Sequence, residues 1–175
     1  MMMRLYLVRH AIAEESTEAE SSMDELRALT MKGRRRFRRS ALAFAKLGES
    51  VDLICSSPVL RAAQTAELLA TALGHDDIRV LQELSRDSAV PPLLARLSQL
   101  GAVSVALVGH RRLLKELAVA VTSVSFERAV HVRFKRGAIA RIDVRRLSAD
   151  PTGRPRWWLA PDGPLREGLP LDEAA

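Results

Sequence analysis

Short apolar runs alternate with longer amphipathic segments along this chain of 175 residues. The apolar runs predict five β-strands, at residues 5–8, 52–55, 78–81, 103–108 and 138–144. The intervening segments carry apolar side chains at helical spacing and predict four helices, at residues 30–47, 59–73, 90–100 and 113–121. Strands that alternate with helices of this length are typical of a three-layer α/β/α sandwich with a mainly parallel central sheet.

The last predicted strand differs from the others because its polar and apolar residues alternate. Ala140, Ile142 and Val144 are separated by Arg141 and Asp143. One face of such a strand packs on the core and the other meets solvent. We therefore expect this strand to lie antiparallel at an edge of the sheet.

The chain after Ser148 has a different composition from the rest. It contains five of the eight prolines and two adjacent tryptophans, Trp157 and Trp158, with little periodicity. We expect an irregular segment that the tryptophans attach to the body of the protein. The predicted organisation is one domain at residues 1–160, followed by an irregular C-terminal tail at residues 161–175.

The overall composition argues against several classes of protein. Aromatic residues make up only 4% of the chain, so nucleic acid bound by base stacking is not an expected partner. No apolar run approaches the ~20 residues of a membrane span, and no membrane partner is expected. The single cysteine, Cys55, cannot form an internal disulfide, and we expect a cytoplasmic protein.

The net charge of +6 requires that acidic partners be considered. Six basic residues cluster at positions 32–39. They could bind an acidic surface, but Phe37, Ala41 and Phe44 follow at helical spacing on the opposite side. This pattern favours the solvated face of an amphipathic helix.

Charged side chains follow four successive strands of the predicted sheet. Arg9 and His10 end the first strand, and Arg61 lies at the start of the helix that follows the second. Glu83 comes just after the third strand, and His110 follows the fourth. Because ligands bind at the carboxyl ends of the strands in such folds, we expect these side chains to converge on one edge of the sheet.

Two arginines and two histidines at one site suit phosphoryl transfer. A neutral imidazole is a good nucleophile near pH 7, because its ordinary pKa is about 6.5. Arginine binds phosphate oxygens through two parallel hydrogen bonds and keeps its charge. His10 would attack phosphorus and form a phosphohistidine that water then hydrolyses. Since side chains supply the positive charge, neither a metal nor another cofactor is expected.

The same residues lie in motifs that resemble a known family, the histidine phosphatase superfamily, formerly the phosphoglycerate mutase-like group. The motifs are Leu7-Val8-Arg9-His10, Ser57-Pro58 followed by Arg61-Ala62 and Gln64-Thr65-Ala66, and Gly109-His110. Further segments are similar to its SixA-type phosphohistidine phosphatases, namely Leu29-Thr30 before Gly33, Gln82-Glu83-Leu84, and Lys135 to Ala140. The resemblance covers residues 4 to 160.

The resemblance implies roles for individual residues. It implies His10 as the nucleophile, with Arg9, Arg61 and His110 forming the phosphate pocket. Arg27 matches a further basic position near that pocket and is a candidate for substrate binding. Residues 1–160 would then form a histidine phosphatase domain with phosphatase activity.

Two positions depart from the family pattern. Ala11 replaces the glycine that usually follows the Arg-His pair, and its methyl group could narrow the pocket. Arg111 and Arg112 replace the acidic or small residues that usually follow Gly-His. This added positive charge suggests a substrate more anionic than a sugar phosphate.

Glu83 has two possible roles. Larger relatives use a carboxylate on a nearby loop as a general acid that protonates a departing alkoxide. When the substrate is phosphohistidine, the leaving group is imidazole, which departs more easily and makes an acid dispensable. Glu83 is therefore either a general acid or a residue that stabilises its loop.

Cys55 offers a competing nucleophile, because Cys55 and Arg61 together match the C-x5-R signature of cysteine-dependent phosphatases. That signature wraps phosphate with successive backbone N–H groups and normally contains glycine. Here the loop has no glycine, and Pro58 lacks an N–H group. We therefore predict that Cys55 packs in the core.

The sequence favours a protein as the substrate. The only long loop near the predicted site, at residues 13–25, is acidic and would repel small, highly anionic metabolites. Arg111 and Arg112 could steer an acidic protein surface towards the site. Together with the open site and the dispensable acid, the SixA-type resemblance implies a phosphatase that acts on phosphohistidine in a protein. The alternatives are a phosphatase of small phosphometabolites and a non-catalytic basic binding module.

Overall fold

The computed structural model describes residues 2–15, 24–122, 124–125, 129, 131–147 and 151–170. The strands in these ranges are β1 (Met3–Arg9), β2 (Leu53–Ser56), β3 (Ile78–Val80), β4 (Ser104–Gly109), β5 (Ile139–Arg146), β6 (Thr152–Leu159) and β7 (Leu165–Glu167). The α-helices are α1 (Met31–Ala45), α2 (Leu60–Leu73), α3 (Val90–Ser98) and α4 (Arg111–Thr122). All five predicted strands and all four predicted helices are present, and their ends differ from the predictions by a few residues.

The strands form one sheet in the order β3-β2-β4-β1-β5-β6-β7. The first four strands of this order are parallel to one another, and β5, β6 and β7 extend the sheet in antiparallel fashion. The prediction of an α/β fold with a parallel centre is confirmed. Because β4 lies between β1 and β2 and all three strands run parallel, their carboxyl ends lie together at the same end of the sheet.

Helices cover both faces of the sheet. The core on one face combines leucines of α3 and α4, including Leu93 and Leu114, with strand residues such as Leu107. The core on the other face combines α1 and α2 with the sheet, and Phe37 and Phe44 of α1 are fully buried there. The three-layer arrangement is therefore the predicted one.

The basic segment of α1 has the amphipathic pattern that the sequence predicted. Thr30 caps the helix, because its hydroxyl accepts a hydrogen bond of 2.9 Å from the backbone N–H of Gly33. On the outer face Arg36 and Arg39 both bind the carboxylate of Asp162. None of the helices in the described part of the chain is long and apolar enough to span a membrane.

The prediction that residues 138–144 form an edge strand is wrong. β5 lies between β1 and β6, and the edges of the sheet are β3 and the antiparallel β7. The polar positions of β5 meet other polar groups: Arg141 donates to Glu49 at 2.6 Å and to Asp143 at 2.8 Å. Glu49 also accepts a hydrogen bond from the hydroxyl of Tyr6 at 2.8 Å. A network of polar side chains therefore covers the face of β5 that the alternating pattern predicted to be exposed to solvent.

The prediction of an irregular segment after Ser148 is also wrong for two stretches. β6 pairs with β5 over its length, and β7 pairs with β6. Trp158 is buried against the core, as expected of an anchoring residue. The boundary at residue 160 between a domain and a tail stays a prediction, and residues 171–175 lie outside the described residues.

Candidate active site

A cavity of about 460 Å³ opens at the carboxyl ends of β1 and β4. Register explains this position: Arg9, the last residue of β1, pairs with Gly109, the last residue of β4. The backbone N–H of His10 then donates to the carbonyl of Gly109 at 3.0 Å. The side chains that line the cavity are those of Arg9, His10, Ala13, Glu14, Glu15, Arg27, Arg61, Arg86, Asp87, His110, Arg111, Arg112 and Arg136.

The imidazole of His10 is held in one tautomer. Its Nδ1 lies 2.8 Å from the carbonyl oxygen of Ala11. Because a carbonyl oxygen can only accept, Nδ1 carries the proton and the lone pair of the neutral ring is on Nε2. Burial lowers the pKa of His10 to about 3, with smaller contributions from the neighbouring His110, Arg61 and Arg9. The ring is therefore neutral near pH 7.

His110 lies directly beside His10, with 5.3 Å between the ring centroids. Its Nε2 is 3.1 Å from the hydroxyl oxygen of Ser57, which directly follows β2, the strand next to β4. Burial, together with the positive charges of Arg61 and Arg86, lowers the pKa of His110 to about 4. Both histidines are thus neutral in the ligand-free protein near pH 7.

The depressed histidine pKa values predict that stability falls in acid. The pKa of His10 is near 6.5 in the unfolded chain and about 3 in the folded protein. Its contribution to the free energy of unfolding is therefore complete above pH 6.5 and is lost as the pH falls towards 3. At pH 5 the loss amounts to at most about 2 kcal/mol for this residue. We expect His10→Gln to lose less stability than the wild type between pH 8 and pH 5. Chemical denaturation at both pH values checks this, and parallel losses would show that folded His10 is already protonated at pH 5.

Arg9 is fixed by the chain that precedes β5. Its Nη1 donates to the carbonyl of Phe134 at 2.6 Å, and its backbone carbonyl accepts from Gly137 at 3.0 Å. Burial lowers the pKa of Arg9 to about 10, and the positive charges of Arg136 and Arg111 act in the same direction. The guanidinium remains charged at neutral pH and faces an excess of positive charge.

Arg61 enters the cavity from the first turn of α2 and is almost fully buried. Its backbone carbonyl accepts a hydrogen bond of 2.7 Å from the hydroxyl of Thr65. The same hydroxyl accepts a hydrogen bond of 3.0 Å from the backbone N–H of Ala11. Thr65 therefore connects the helix that carries Arg61 to the loop that carries His10.

Asp24, which the sequence did not single out as a site residue, joins two of the predicted arginines. Arg61 donates to its backbone carbonyl at 2.6 Å and to Oδ2 at 3.0 Å. Arg27, the predicted substrate-binding residue, lies 2.6 Å from Oδ1. Arg86 approaches Oδ2 at 3.7 Å. Of the acidic loop predicted at residues 13–25, residues 16–23 lie outside the described residues.

The side chains of Arg9, Arg27 and Arg61 share one further property. In each of them Nε is buried and has no hydrogen-bond partner among the described residues. A buried N–H group without a partner is costly, and native proteins rarely tolerate one. Three arginines that line one cavity, each with an N–H group left unpaired by the described residues, indicate a binding site for an anion.

The cavity brings together five of the six predicted site residues. Glu83 is the exception, because it lies on the 3₁₀ turn Gln82–Leu84 and is not one of the described residues that line the cavity. Arg86 and Asp87, which follow this turn, line it instead. Arg136, which also lines the cavity, belongs to the motif from Lys135 to Ala140 and is not one of the predicted site residues. The segment after β3 thus contributes Arg86 and Asp87 to the cavity lining in place of the predicted Glu83.

Cys55 and Ala11 are both buried in the apolar core. Cys55 is fully buried in β2, and burial raises the pKa of its thiol to about 12, so it packs in the core as predicted. Ala11 is buried against the core on the side of α1 and α2. Its methyl group is not part of the cavity lining in the described structure, so the expected narrowing of the pocket is not observed.

Comparison with known proteins agrees with this geometry. The model of the histidine phosphatase superfamily (branch 1) matches residues 5–85. An uncharacterised protein from Picosynechococcus sp. is 38% identical over 122 residues, which are 68% of this chain and 73% of that protein.

Two solved structures share the fold over nearly the whole length. The protein histidine phosphatase SixA in complex with tungstate has a TM-score of 0.77 at 26% identity, covering 91% of this chain and 97% of that chain. A SixA structure from Agrobacterium tumefaciens has a TM-score of 0.76 at 27% identity, covering 91% and 98%. The motifs that end β1 and β4 thus occur here in the fold of their family, and the chain belongs to the histidine phosphatase superfamily of hydrolases, with SixA-type proteins as its structural relatives.

Proposed function

We propose that this phosphatase hydrolyses phosphohistidine in proteins through a covalent phosphohistidine on its own His10. The observation that carries the proposal is the hydrogen bond from Nδ1 of His10 to the carbonyl of Ala11. This bond keeps the proton on Nδ1 and leaves the lone pair of Nε2 available for attack. Burial acts in the same sense because it disfavours the protonated ring.

The proposed reaction has two steps. In the first, Nε2 of His10 attacks phosphorus, a bond between Nε2 and phosphorus forms, and the bond from phosphorus to the substrate imidazole breaks. The electron pair of the broken bond goes to the leaving imidazole, which departs neutral when its other nitrogen carries a proton. In the second step water attacks phosphorus and the bond to Nε2 breaks. Its electron pair returns to His10, and inorganic phosphate leaves with the oxygen of the water.

Arg9, Arg27 and Arg61 supply donors for the phosphoryl oxygens. All three arginines line the cavity, and the guanidinium group is the side chain best suited to bind phosphoryl oxygens through parallel hydrogen bonds. His110 is the fourth member of the pocket. The arrival of a phosphoryl dianion raises the pKa of a nearby imidazole, so we infer that His110 donates to a phosphoryl oxygen once substrate is bound.

The charge of the cavity supports an acidic protein as the substrate. Seven arginines and three carboxylates line it, and Arg111 and Arg136 are exposed at its rim. Such a rim attracts an acidic surface around a phosphorylated side chain. The SixA structure in complex with tungstate, an oxyanion like phosphate, lends further support. A reducing cytoplasm remains the expected compartment.

We expect a higher kcat/KM for a phosphohistidine-bearing phosphotransfer protein than for any phosphometabolite. The leaving imidazole needs little protonation, so Glu83→Gln should change turnover of the phosphoprotein by less than about threefold. Side-by-side kinetics with a panel of sugar phosphates and nucleotides checks this.

The same panel separates the alternatives. If kcat/KM were a hundredfold higher for a metabolite, and Glu83→Gln reversed this preference, the substrate would be a small molecule and Glu83 would be its general acid. If neither the phosphoprotein nor the metabolites released detectable phosphate, the protein would be a non-catalytic basic binding module instead.

A further inference from the structure

The carboxylate of Asp24 contacts two arginines of the proposed phosphate pocket, Arg61 and Arg27. We propose that Asp24 is a positioning residue, which fixes the guanidinium groups of Arg61 and Arg27 in the orientation that receives the phosphoryl group in the cavity. The proposal rests on the function proposed above. Asp24 itself would not contact the reacting atoms.

The hydrogen bonds of Arg61 show how this positioning works. A guanidinium has five N–H groups, and Asp24 accepts one from Nη1 through its backbone carbonyl and one from Nη2 through Oδ2. Nε of Arg61 remains buried and unpartnered within the described structure. Two contacts at the far end of the planar group fix its orientation in the cavity.

The second carboxylate oxygen extends the arrangement to Arg27. Oδ1 of Asp24 lies 2.6 Å from Nη2 of Arg27, and Nε of Arg27 is likewise buried without a partner among the described residues. The Nη1 of Arg27 donates to the backbone carbonyl of Glu14 at 2.7 Å. Both arginines thus make protein contacts through their Nη atoms, and these contacts fix the plane of each guanidinium group.

Electrostatics gives Asp24 a second effect. Arg27, Arg61 and Arg86 all approach its carboxylate, and without that negative charge they would repel one another. Burial alone raises the pKa of Asp24, but the charges and hydrogen bonds of Arg61 and Arg27 outweigh it and lower the pKa. The carboxylate is therefore ionised at neutral pH and keeps the arginines close together.

A competing interpretation makes the opposite prediction. A carboxylate bound to arginines could occupy the place of the phosphoryl group and inhibit the enzyme. Removing it would then strengthen oxyanion binding. If Asp24 positions the arginines instead, removing it weakens oxyanion binding and slows turnover.

The test compares Asp24→Ala and Asp24→Asn with the wild type. The matched control is Glu25→Gln, the neighbouring exposed carboxylate. We expect Asp24→Ala to lower kcat for a generic phosphate monoester by 10- to 100-fold, since misplaced binding groups typically cost about this much. Tungstate, measured by calorimetry, should bind about tenfold more weakly. Asp24→Asn should be milder, because an amide oxygen can still accept from Arg61.

A spectroscopic measurement keeps the inference separate from the proposed function. The Nε–H signal of Arg61 in a ¹⁵N NMR spectrum, assigned with Arg61→Lys, should be sharp in the wild type and in Glu25→Gln, and broadened or exchanged in Asp24→Ala. A sharp signal in Asp24→Ala, unchanged tungstate affinity, or a gain in affinity with higher kcat/KM would overturn the positioning role. Neither the signal nor the affinity depends on turnover, so failure of the proposed reaction would be recognised independently through His10→Ala.

Discussion

His10→Ala is expected to lower kcat/KM for any phosphate substrate by about 10⁴-fold or more, because it removes the attacking nitrogen of the proposed reaction. Thermal unfolding at pH 7.5 should show a folded variant, since the ring lies at the end of β1 and contributes little to either apolar core. Steady-state kinetics checks the loss of activity.

Trapping the intermediate identifies the nucleophile directly. Enzyme quenched during turnover should carry a phosphoryl group that is labile in acid and stable in alkali, as expected of a bond between phosphorus and nitrogen. The matched variant is Cys55→Ser, which should still form this intermediate because the thiol is buried in β2. A label that survives acid, or one that disappears in Cys55→Ser and persists in His10→Ala, would show that the nucleophile is not His10.

Arg61→Lys is expected to lower kcat by about 10²- to 10³-fold, the usual effect of losing one preorganised donor to a developing negative charge. Lysine keeps the positive charge but lacks the planar set of donors that Asp24 and the proposed phosphoryl oxygens share. The measurement is kcat and KM on a generic phosphate monoester, together with tungstate inhibition.

The control for Arg61→Lys is Arg38→Lys, on the exposed face of α1. Arg38 lies outside the cavity, so its replacement should leave kcat within a factor of two. If Arg61→Lys retained more than a third of the wild-type kcat with unchanged tungstate inhibition, Arg61 would have no place in the phosphate pocket.

The apolar runs were sufficient to predict the parallel half of the sheet. β2 and β4 are continuous and fully buried, which is the pattern of strands covered by helices on both faces. Residues near the ends of these strands then fall at one edge by topology alone, and Arg9, His10, Arg61 and His110 meet as expected. Local pattern and global fold agree in this part of the chain.

β6 could not be predicted because its sequence breaks the strand pattern. Gly153 is required by close packing, since a Cβ atom there would lie 2.6 Å from the backbone oxygen of Val121. Pro155 lies next to a shift of register in the pairing with β5. Both residues usually indicate a turn when only the sequence is known.

Asp24 was missed for a different reason. The sequence shows an acidic residue in an acidic, serine-rich loop, and such residues are usually solvated. Its partner Arg61 is distant in the chain and sits on another element, so no spacing rule connects them. The Arg141 side chain of β5 was misjudged in the same way, because its carboxylate partner Glu49 lies 92 residues away. Long-range ion pairs leave no periodic signal in a sequence.

The central position of β4 also determines when this chain can fold during its synthesis. Arg9, His10 and Arg61 are made early, yet β1 and β2 are not neighbours in the sheet and each pairs with β4. A nascent chain that ends before residue 104 contains His10 and both arginines, but it lacks the strand that joins β1 to β2. The ribosome must therefore deliver β4 and the histidine after it before the parallel sheet can form, and the candidate active site is completed in the same event as the core.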